Sequence, residues 1–211
     1  MAVVGILGMT HDEEMQKKYK LPLSLIEELI LEFKPDVICG EVHPKSWELY
    51  NRTGEPFGIL GETQNEYPKL IFPMCEERGI HFVPVNWFEE DVFQEGPFDK
   101  YDKDTKEELK NKLHDWNERQ LSTWNKGNIS LNSFEYDHIT KDMYKWLHNI
   151  NPNVQNIIWN SRHYMMVARV KNAIKKFPDK RILCIHGADH NYWYHEALRN
   201  EKGIELVYPL R

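Results

Sequence analysis

Short apolar runs at the two ends of the chain constrain its fold more strongly than any other feature of the sequence. Residues 3–7 and 182–185 are continuously apolar, which is typical of central β-strands that are covered on both faces. Each run leads directly into a Gly-x-x-His motif, GMTH at 8–11 and GADH at 187–190. A strand that ends in this way places an imidazole at the carboxyl edge of a sheet, where open α/β sheets bind ligands.

A third Gly-x-x-His motif, GEVH at 40–43, follows the short apolar run at 37–39. With 11 Gly and 10 His in 211 residues, chance supplies only about 0.5 such spacings. Three copies, each directly after a strand-like run, exceed that number, and we expect a shared site for His11 and His190. His43 is the weaker candidate, because Pro44 follows it and its side chain can point away from the site.

The pattern between the motifs predicts an α/β fold. Apolar residues recur at three- and four-residue spacing between the first two strands, as in a helix that packs on a sheet: Leu25, Ile26, Leu29, Ile30 and Phe33. Such strand–helix–strand units default to right-handed parallel crossovers. Further strands are predicted at 80–85, 181–185 and 203–207. Further helices are predicted at 45–50, 68–78 and 152–177, with a loop at 51–66. We therefore predict a mainly parallel central sheet flanked by helices.

The segment 88–151 differs in composition from the rest of the chain. It is polar, strongly charged and rich in aromatic residues, and it predicts helices at 105–126 and 135–149 but no strand. We predict a single α/β domain with a core from 1–87 and 152–211 and an all-helical insertion at 88–151 that acts as a lid. Its aromatic residues are expected to form their own packing core, with a ligand-stacking surface as the alternative: Trp116, Trp124, Phe134, Tyr136, Tyr144 and Trp146.

Composition excludes several classes of function. A net charge of −6 gives no electrostatic reason to expect nucleic acid or an anionic membrane as a partner. No apolar stretch approaches the length of a membrane span, and we expect neither a signal peptide nor an anchor. Three cysteines, two of them in predicted strands, argue against a disulfide framework, so we expect a reduced, cytoplasmic protein. The oligomeric state is left open, and a homodimer is one of the options.

The predicted strand ends bring several polar side chains to one edge of the sheet. His11 follows the first strand, Glu41 the second, and His190 the fourth. Two imidazoles and a carboxylate are ligands suited to a divalent metal ion such as manganese, cobalt or zinc, with an open position for water. Such an ion supports hydrolysis. Three further residues of this edge are predicted to bind substrate: His43, Asn86 and Asp189.

Arg162 is a separate signal, because it is predicted to lie on the apolar face of its helix with Ile158 and Met165. A buried guanidinium needs a partner, since an isolated buried charge is very costly. Glu41 is the expected partner, and we assign catalytic roles to both residues. The alternative is an arginine at the margin of the face that extends to water.

Structural roles are the alternative for each histidine. A single His at a strand end is more often a hydrogen-bonded structural residue than a ligand. His186 is interpreted as a core histidine, and His163 and His195 as helix-surface or packing residues. Motifs for a serine nucleophile elbow, a phosphate-binding loop, a dinucleotide fingerprint and an HExxH zinc site are absent from the sequence.

These motifs together resemble the TraB/Tiki group within the wider EreA/ChaN-like superfamily. The resemblance rests on strand–GMTH at 5–11, KPDVIxxE at 34–41, Arg162 with its Met-rich helix, and strand–GADH at 182–190, and it covers 1–90 and 152–211. It implies a split α/β core with a helical insertion and a metal-dependent, peptidase-like or hydrolase-like site. Carried over residue by residue, that site comprises His11, Glu41, Arg162 and His190.

The resemblance leaves the reaction open, because the ChaN branch is associated with haem-iron binding and the EreA branch opens a macrolide lactone. The leading hypothesis is a metal-dependent hydrolase of amide or ester bonds acting on a small-molecule or peptide substrate. The first alternative is a non-catalytic module that binds haem, metal or a small ligand at the same edge. The second alternative is a metal-free esterase in which one His acts as general base on water.

Overall fold

An all-parallel β-sheet forms the centre of the protein. The computed structural model describes residues 1–55, 66–89, 91–92, 94–127 and 129–210. Within these residues the sheet has five strands in the order β3-β2-β4-β1-β5. The strands are β1 (Ala2–Met9), β2 (Val37–Gly40), β3 (His81–Pro84), β4 (Arg181–Gly187) and β5 (Ile204–Val207). This confirms the predicted α/β fold with its parallel central sheet.

The register of β1, β2 and β4 brings the three motifs to one edge. Leu7 pairs with Ile185 on the β1–β4 side, and Gly40 pairs with the same Ile185 on the β2–β4 side. Because all three strands run in parallel, the residues that follow each strand leave the sheet at its carboxyl edge. His11, Glu41 and His190 therefore follow neighbouring strands at the same edge of the sheet.

Helices cover both faces of the sheet. They are α1 (Glu13–Lys18), α2 (Leu23–Phe33), α3 (Pro44–Thr53), α4 (Phe72–Arg78), α5 (Lys103–Leu121), α6 (Phe134–Ile150), α7 (Pro152–Val154), α8 (Arg162–Lys176) and α9 (Asn191–Leu198). A π-helical turn at Tyr67–Ile71 leads into α4, and another at Gln155–Ser161 joins α7 to α8. A 3₁₀ turn at Ala188–His190 joins β4 to α9.

Alternate residues of the central strands pack into two separate hydrophobic cores, one on each face of the sheet. Leu183 and Ile185 of β4 pack with α2 and α4 on one face, whereas Ile182 and Cys184 pack with α8 and α9 on the other. Full burial of such a side chain contributes roughly 1.5–3 kcal/mol. Burial on both faces explains why the central strands read as continuous apolar runs in the sequence.

The predicted elements are present, with ends that shift by a few residues. The helix predicted at 105–126 ends at Leu121, where Ser122 begins a turn. The helix predicted at 152–177 contains the π-helical turn. Of the loop predicted at 51–66, residues 51–53 belong to α3, and 56–65 lie outside the described residues.

Helices α5 and α6 lie in the segment predicted to be an insertion. In its described part this segment contains no β-strand, only an isolated bridge between Ile129 and Asn132. Some of its aromatic residues pack together as expected, with Trp116 and Trp146 against Phe98. That the segment is a separate insertion or a lid stays a prediction.

The sequence analysis also expected no membrane-spanning segment and no disulfide framework. Over the ranges that the structure describes, no helix combines the length and apolar character needed to cross a membrane. Cys39, Cys75 and Cys184 are all buried and free.

Candidate active site

The carboxylate of Glu41 lies at the centre of the carboxyl edge and joins three of the predicted site residues. Its Oε1 accepts hydrogen bonds from Arg162 Nη2 at 2.7 Å and from His190 Nε2 at 3.1 Å. Its Oε2 accepts one from the Gly187 backbone N–H at 2.7 Å and lies 3.5 Å from His11 Nε2. Glu41 itself is 2% exposed. The predicted contact between Arg162 and Glu41 is therefore confirmed.

Glu41 is ionised in spite of its burial. Burial alone raises the pKa of a carboxyl group, but the charges of His190 and Arg162, together with the nearby imidazoles of His11 and His190, hold the pKa of Glu41 well below its ordinary value. A carboxylate with so low a pKa accepts hydrogen bonds well but is a poor acceptor of a proton. Glu41 is thus better suited to hold its neighbours than to act as a base.

His11 is held by a second carboxylate that the sequence did not point to. Its Nδ1 lies 2.5 Å from Oε1 of Glu66, a residue with 0% exposure that directly precedes the π-helical turn. Burial lowers the pKa of His11, but Glu41 and Glu66 outweigh that effect and raise it to about 10. Nε2 of His11 makes no hydrogen bond within the described residues. His11 is therefore an imidazolium that Glu66 orients through Nδ1, while Nε2 points away from Glu66.

His190 is held from behind by His163. His163 Nδ1 lies 2.7 Å from the Trp159 carbonyl oxygen and must donate to it, so a neutral His163 presents Nε2 as an acceptor. Burial and the charge of His190 hold the pKa of His163 well below its ordinary value, which keeps it neutral. His190 Nδ1, 2.7 Å away, then donates to His163, while its Nε2 donates to ionised Glu41. Both ring nitrogens of His190 are therefore held by protein partners.

Arg162 reaches Glu41 from the margin of the buried face of α8, where its side chain is 19% exposed. His163 and Met166 are fully buried on that face, whereas Met165 is 40% exposed. The π-helical turn separates Ile158 from Arg162, so the 3.6-residue period that related these two residues does not hold there. The prediction that Arg162 is buried with Met165 was wrong, although the predicted partner was correct.

Gly187 leaves room for a small atom between the three groups. A Cβ atom on this residue would lie 3.0 Å from His11 Nε2, 3.5 Å from Glu41 Oε2 and 3.6 Å from His190 Cδ2. Its φ of −56° and ψ of 138° are open to any residue, so backbone strain does not require a glycine here. The missing side chain therefore matters for the space that it leaves, at hydrogen-bonding distance from His11.

A cavity of about 730 Å³ opens onto this point. Its described lining includes the polar groups His11, Glu41, Arg162, Asp189 and His190. Further polar side chains line it as well: Thr10, Lys18, His114, Asn117, Glu118 and Gln120. Apolar and aromatic side chains form the rest of the walls: Met9, Met15, Phe88, Leu121, Leu131, Tyr136, Tyr144 and Trp159. A volume of this order, with polar groups that converge between apolar and aromatic walls, suits a small-molecule site.

The three residues predicted to bind substrate have different positions. Asp189 lines the cavity. Asn86 is fully buried and accepts a hydrogen bond from Arg162 Nε at 2.8 Å, so it supports the guanidinium. His43 precedes α3 as its N-cap, where its Nδ1 accepts a hydrogen bond from the Lys45 backbone N–H at 3.2 Å. Neither Asn86 nor His43 is among the described residues that line the cavity.

The arrangement does not present a prepared set of ligands to a metal ion. Over the described ranges, no three His, Cys, Asp or Glu side chains are placed to hold one. Both ring nitrogens of His190 are already in contacts, Nδ1 with His163 and Nε2 with Glu41, so neither is open to a metal ion. Glu41 is also committed to Arg162 and His190. The expected metal site at His11, Glu41 and His190 stays a prediction.

Comparisons with known proteins do not assign the chain to a family. Models of protein families, curated proteins and solved structures gave no match. The resemblance to the TraB/Tiki group and the EreA/ChaN-like superfamily therefore stays a prediction. The class of protein that the fold and the site define is an α/β protein with a histidine–carboxylate cluster at the carboxyl edge of its sheet.

Proposed function

We propose that the protein hydrolyses ester or amide bonds of a small-molecule or peptide substrate, with His11 as the acid–base residue. The observation that carries this proposal is the small space beside Gly187, 3.0 Å from His11 Nε2 at the wall of the cavity. A reacting oxygen at this point lies within hydrogen-bonding reach of an oriented imidazole, which is the first requirement for general acid–base catalysis.

Each step follows from the contacts of His11. Glu66 holds the Nδ1–H of His11, so that a neutral His11 presents Nε2 as a base. Nε2 takes one proton from water while the water oxygen forms a bond to the substrate carbonyl carbon. When the tetrahedral intermediate collapses, Nε2 returns that proton to the leaving oxygen or nitrogen. Water is consumed, and His11 ends in its starting state.

Arg162 is the group best placed to stabilise the oxyanion. It lines the cavity, and its two side-chain hydrogen bonds to Glu41 and Asn86 fix the plane of the guanidinium. A guanidinium has five N–H groups, so further donors remain for a developing negative charge. Glu41 acts as a positioning residue that orients Arg162 and His190.

Two other functions expected from the sequence stay predictions, and both have direct tests. A metal-dependent form of the same hydrolysis would require bound transition metal in the active protein. A non-catalytic module that binds haem, metal or a small ligand would show binding without turnover.

A panel of chromogenic esters and amides tests the proposal. We expect hydrolysis that survives treatment with a chelator and that falls at least about 100-fold in His11→Gln. His195→Gln is the matched control, because His195 lies on α9 against the rings of Phe134 and Tyr208 and does not line the cavity.

Three results separate the alternatives. Activity that is lost on chelation and restored by manganese, cobalt or zinc would favour the metal-dependent form. A Soret band on titration with haemin, lost in His11→Gln, would favour the binding module. Equal activity of His11→Gln and wild type would exclude His11 as the acid–base residue.

A further inference from the structure

Asp189 is a carboxylate that is held in the described structure only by neutral donors. Its Oδ1 accepts hydrogen bonds from Tyr136 Oη at 2.7 Å and Gln120 Nε2 at 2.9 Å. Its Oδ2 accepts one from Tyr144 Oη at 3.0 Å. Asp189 follows β4 in the 3₁₀ turn that leads to His190. Its side chain is therefore fixed in place by two helices, α5 and α6.

The negative charge of Asp189 lacks a cationic partner in the described part of the chain. Glu41 lies within 4 Å of Arg162, His11 and His190, but no Lys, Arg or His nitrogen from the described ranges is that close to Asp189. The charge also adds to burial in raising the pKa of Tyr136 and Tyr144. An uncompensated carboxylate at the wall of a cavity attracts a cation.

The groups around Asp189 match the geometry of a primary ammonium ion. Tyr136 and Tyr144 each donate their single hydroxyl proton to Asp189, so both phenol oxygens keep lone pairs that can accept. Together with the carboxylate they offer three acceptors to three N–H donors. Trp159 stacks on Tyr144 with ring centroids 3.5 Å apart and on His190 at 5.0 Å, and it also lines the cavity, so the Tyr144 ring is held in place beside Asp189.

We propose that Asp189, Tyr136 and Tyr144 form a subsite for a primary ammonium group of the substrate. All three line the same cavity as His11 and Arg162, so one molecule reaches both the subsite and the reacting point. The substrate class is therefore an ester or amide that carries an amine. This inference rests on the proposed hydrolase function and narrows its substrate.

A purely structural role for Asp189 makes a different prediction. Its bonds to Gln120 of α5 and Tyr136 of α6 tie these helices to the edge of the sheet. If that is its only role, replacing Asp189 affects charged and uncharged substrates alike. The ratio of kcat/KM between a charged substrate and its uncharged counterpart separates the structural role from the binding role. A change in folding or in helix position affects both substrates equally and so leaves this ratio unchanged.

The test uses p-nitrophenyl esters of ω-amino acids of increasing chain length, each paired with an ester in which a methyl group replaces the ammonium. For the best chain length, we expect wild type to prefer the amino ester by at least about tenfold in kcat/KM. In Asp189→Asn, which keeps the shape of the side chain, the ratio should fall to about one. Tyr144→Phe, which removes one acceptor, should lower it part of the way and carries the test if Asp189→Asn does not fold.

Asp137→Asn is the matched control, since Asp137 is a buried carboxylate on the same helix as the tyrosines but bonds to Tyr208 and does not line the cavity. Its substrate ratio should equal that of wild type. A wild-type ratio of one or less, or a ratio that Asp189→Asn leaves unchanged, would overturn the subsite.

Binding of hexylamine, with hexanol as its uncharged counterpart, separates this inference from the hydrolase proposal. Calorimetry should detect hexylamine on wild type but not on Asp189→Asn. If no ester is hydrolysed and this difference is still seen, the hydrolase proposal fails while the ammonium subsite stands. If hexylamine binds no better than hexanol, the subsite is wrong, whatever the activity.

Discussion

Arg162 Nη2 lies 2.7 Å from Glu41 Oε1, although 121 positions separate the two residues in the chain. Glu41 is almost fully buried, and the side chain of Arg162 is 19% exposed. The contact joins the end of β2 to the beginning of α8 across the carboxyl edge of the sheet. Because each charge satisfies the other in a place with little water, loss of either partner should be expensive.

Replacement of Arg162 should therefore lower stability as well as activity. Arg162→Ala leaves a buried carboxylate with one partner fewer, and we expect the free energy of unfolding to fall by about 3–5 kcal/mol. Arg162→Lys should recover only part of this loss, because an ammonium cannot bond to Glu41 and Asn86 in the plane of a guanidinium. Urea unfolding measures the free energy of unfolding of both variants. Arg52→Ala, at an exposed position of α3, is the control. An Arg162→Ala protein that is as stable as Arg52→Ala would contradict the expected loss.

Activity should rise with pH in the neutral-to-alkaline range if His11 is the base. The pKa of His11 is about 10, so the neutral form that accepts a proton from water becomes more abundant up to that pH. Glu66→Gln removes one of the two carboxylates that raise this pKa, so the midpoint of the kcat/KM profile should move to lower pH. Glu48→Gln, an exposed change on α3, should leave the midpoint in place. A midpoint that is the same in wild type and Glu66→Gln would remove Glu66 from this role.

Asp137 should make the protein less stable as pH rises. Burial, opposed by the hydrogen bond from Tyr208, raises the pKa of Asp137 from 3.8 to about 7. Between these values the unfolded chain releases the proton and the folded chain keeps it, so stability falls as pH rises from about 4 to 7. Asp137→Asn removes this loss while keeping an oxygen for Tyr208. We expect Asp137→Asn to raise the melting temperature more at pH 8 than at pH 4. An equal effect at both pH values would contradict the raised pKa of Asp137.

Much of this architecture could be predicted from the sequence, because its causes are local. Doubly covered strands read as continuous apolar runs, and Gly-x-x-His after such a run places a histidine at the carboxyl edge. The partnership of Arg162 and Glu41 followed from the cost of leaving a guanidinium unpaired near a sheet.

Two residues of the site were missed in the sequence. Glu66 ends a polar stretch rich in glycine that gives no periodic signal, and only the three-dimensional contact with His11 shows its role. His163 did carry a signal, since His163, Met166, Val170 and Ala173 recur at helical spacing on the buried face of α8. His163 was interpreted instead as a helix-surface or packing residue.

The glycine of the first motif has a different role from that of Gly187. A Cβ atom on Gly8 would lie 2.4 Å from the side-chain oxygen and nitrogen of Asn191, which is fully buried and bonds to Leu131 and Asn132. Gly8→Ala should therefore lower the free energy of unfolding by about 1–3 kcal/mol. Urea unfolding measures the change, and unaltered stability would show that Asn191 has room to move.

Gly187→Ala tests the central claim most directly, because it adds one methyl group at the proposed reacting point without backbone strain. The measurement is kcat/KM on the best ester of the panel, with urea unfolding of the same sample. We predict that Gly187→Ala loses at least about 100-fold in kcat/KM while its free energy of unfolding stays within about 1 kcal/mol of wild type. Full activity in a folded Gly187→Ala protein would show that water is not activated between His11 and Glu41, and would contradict the account.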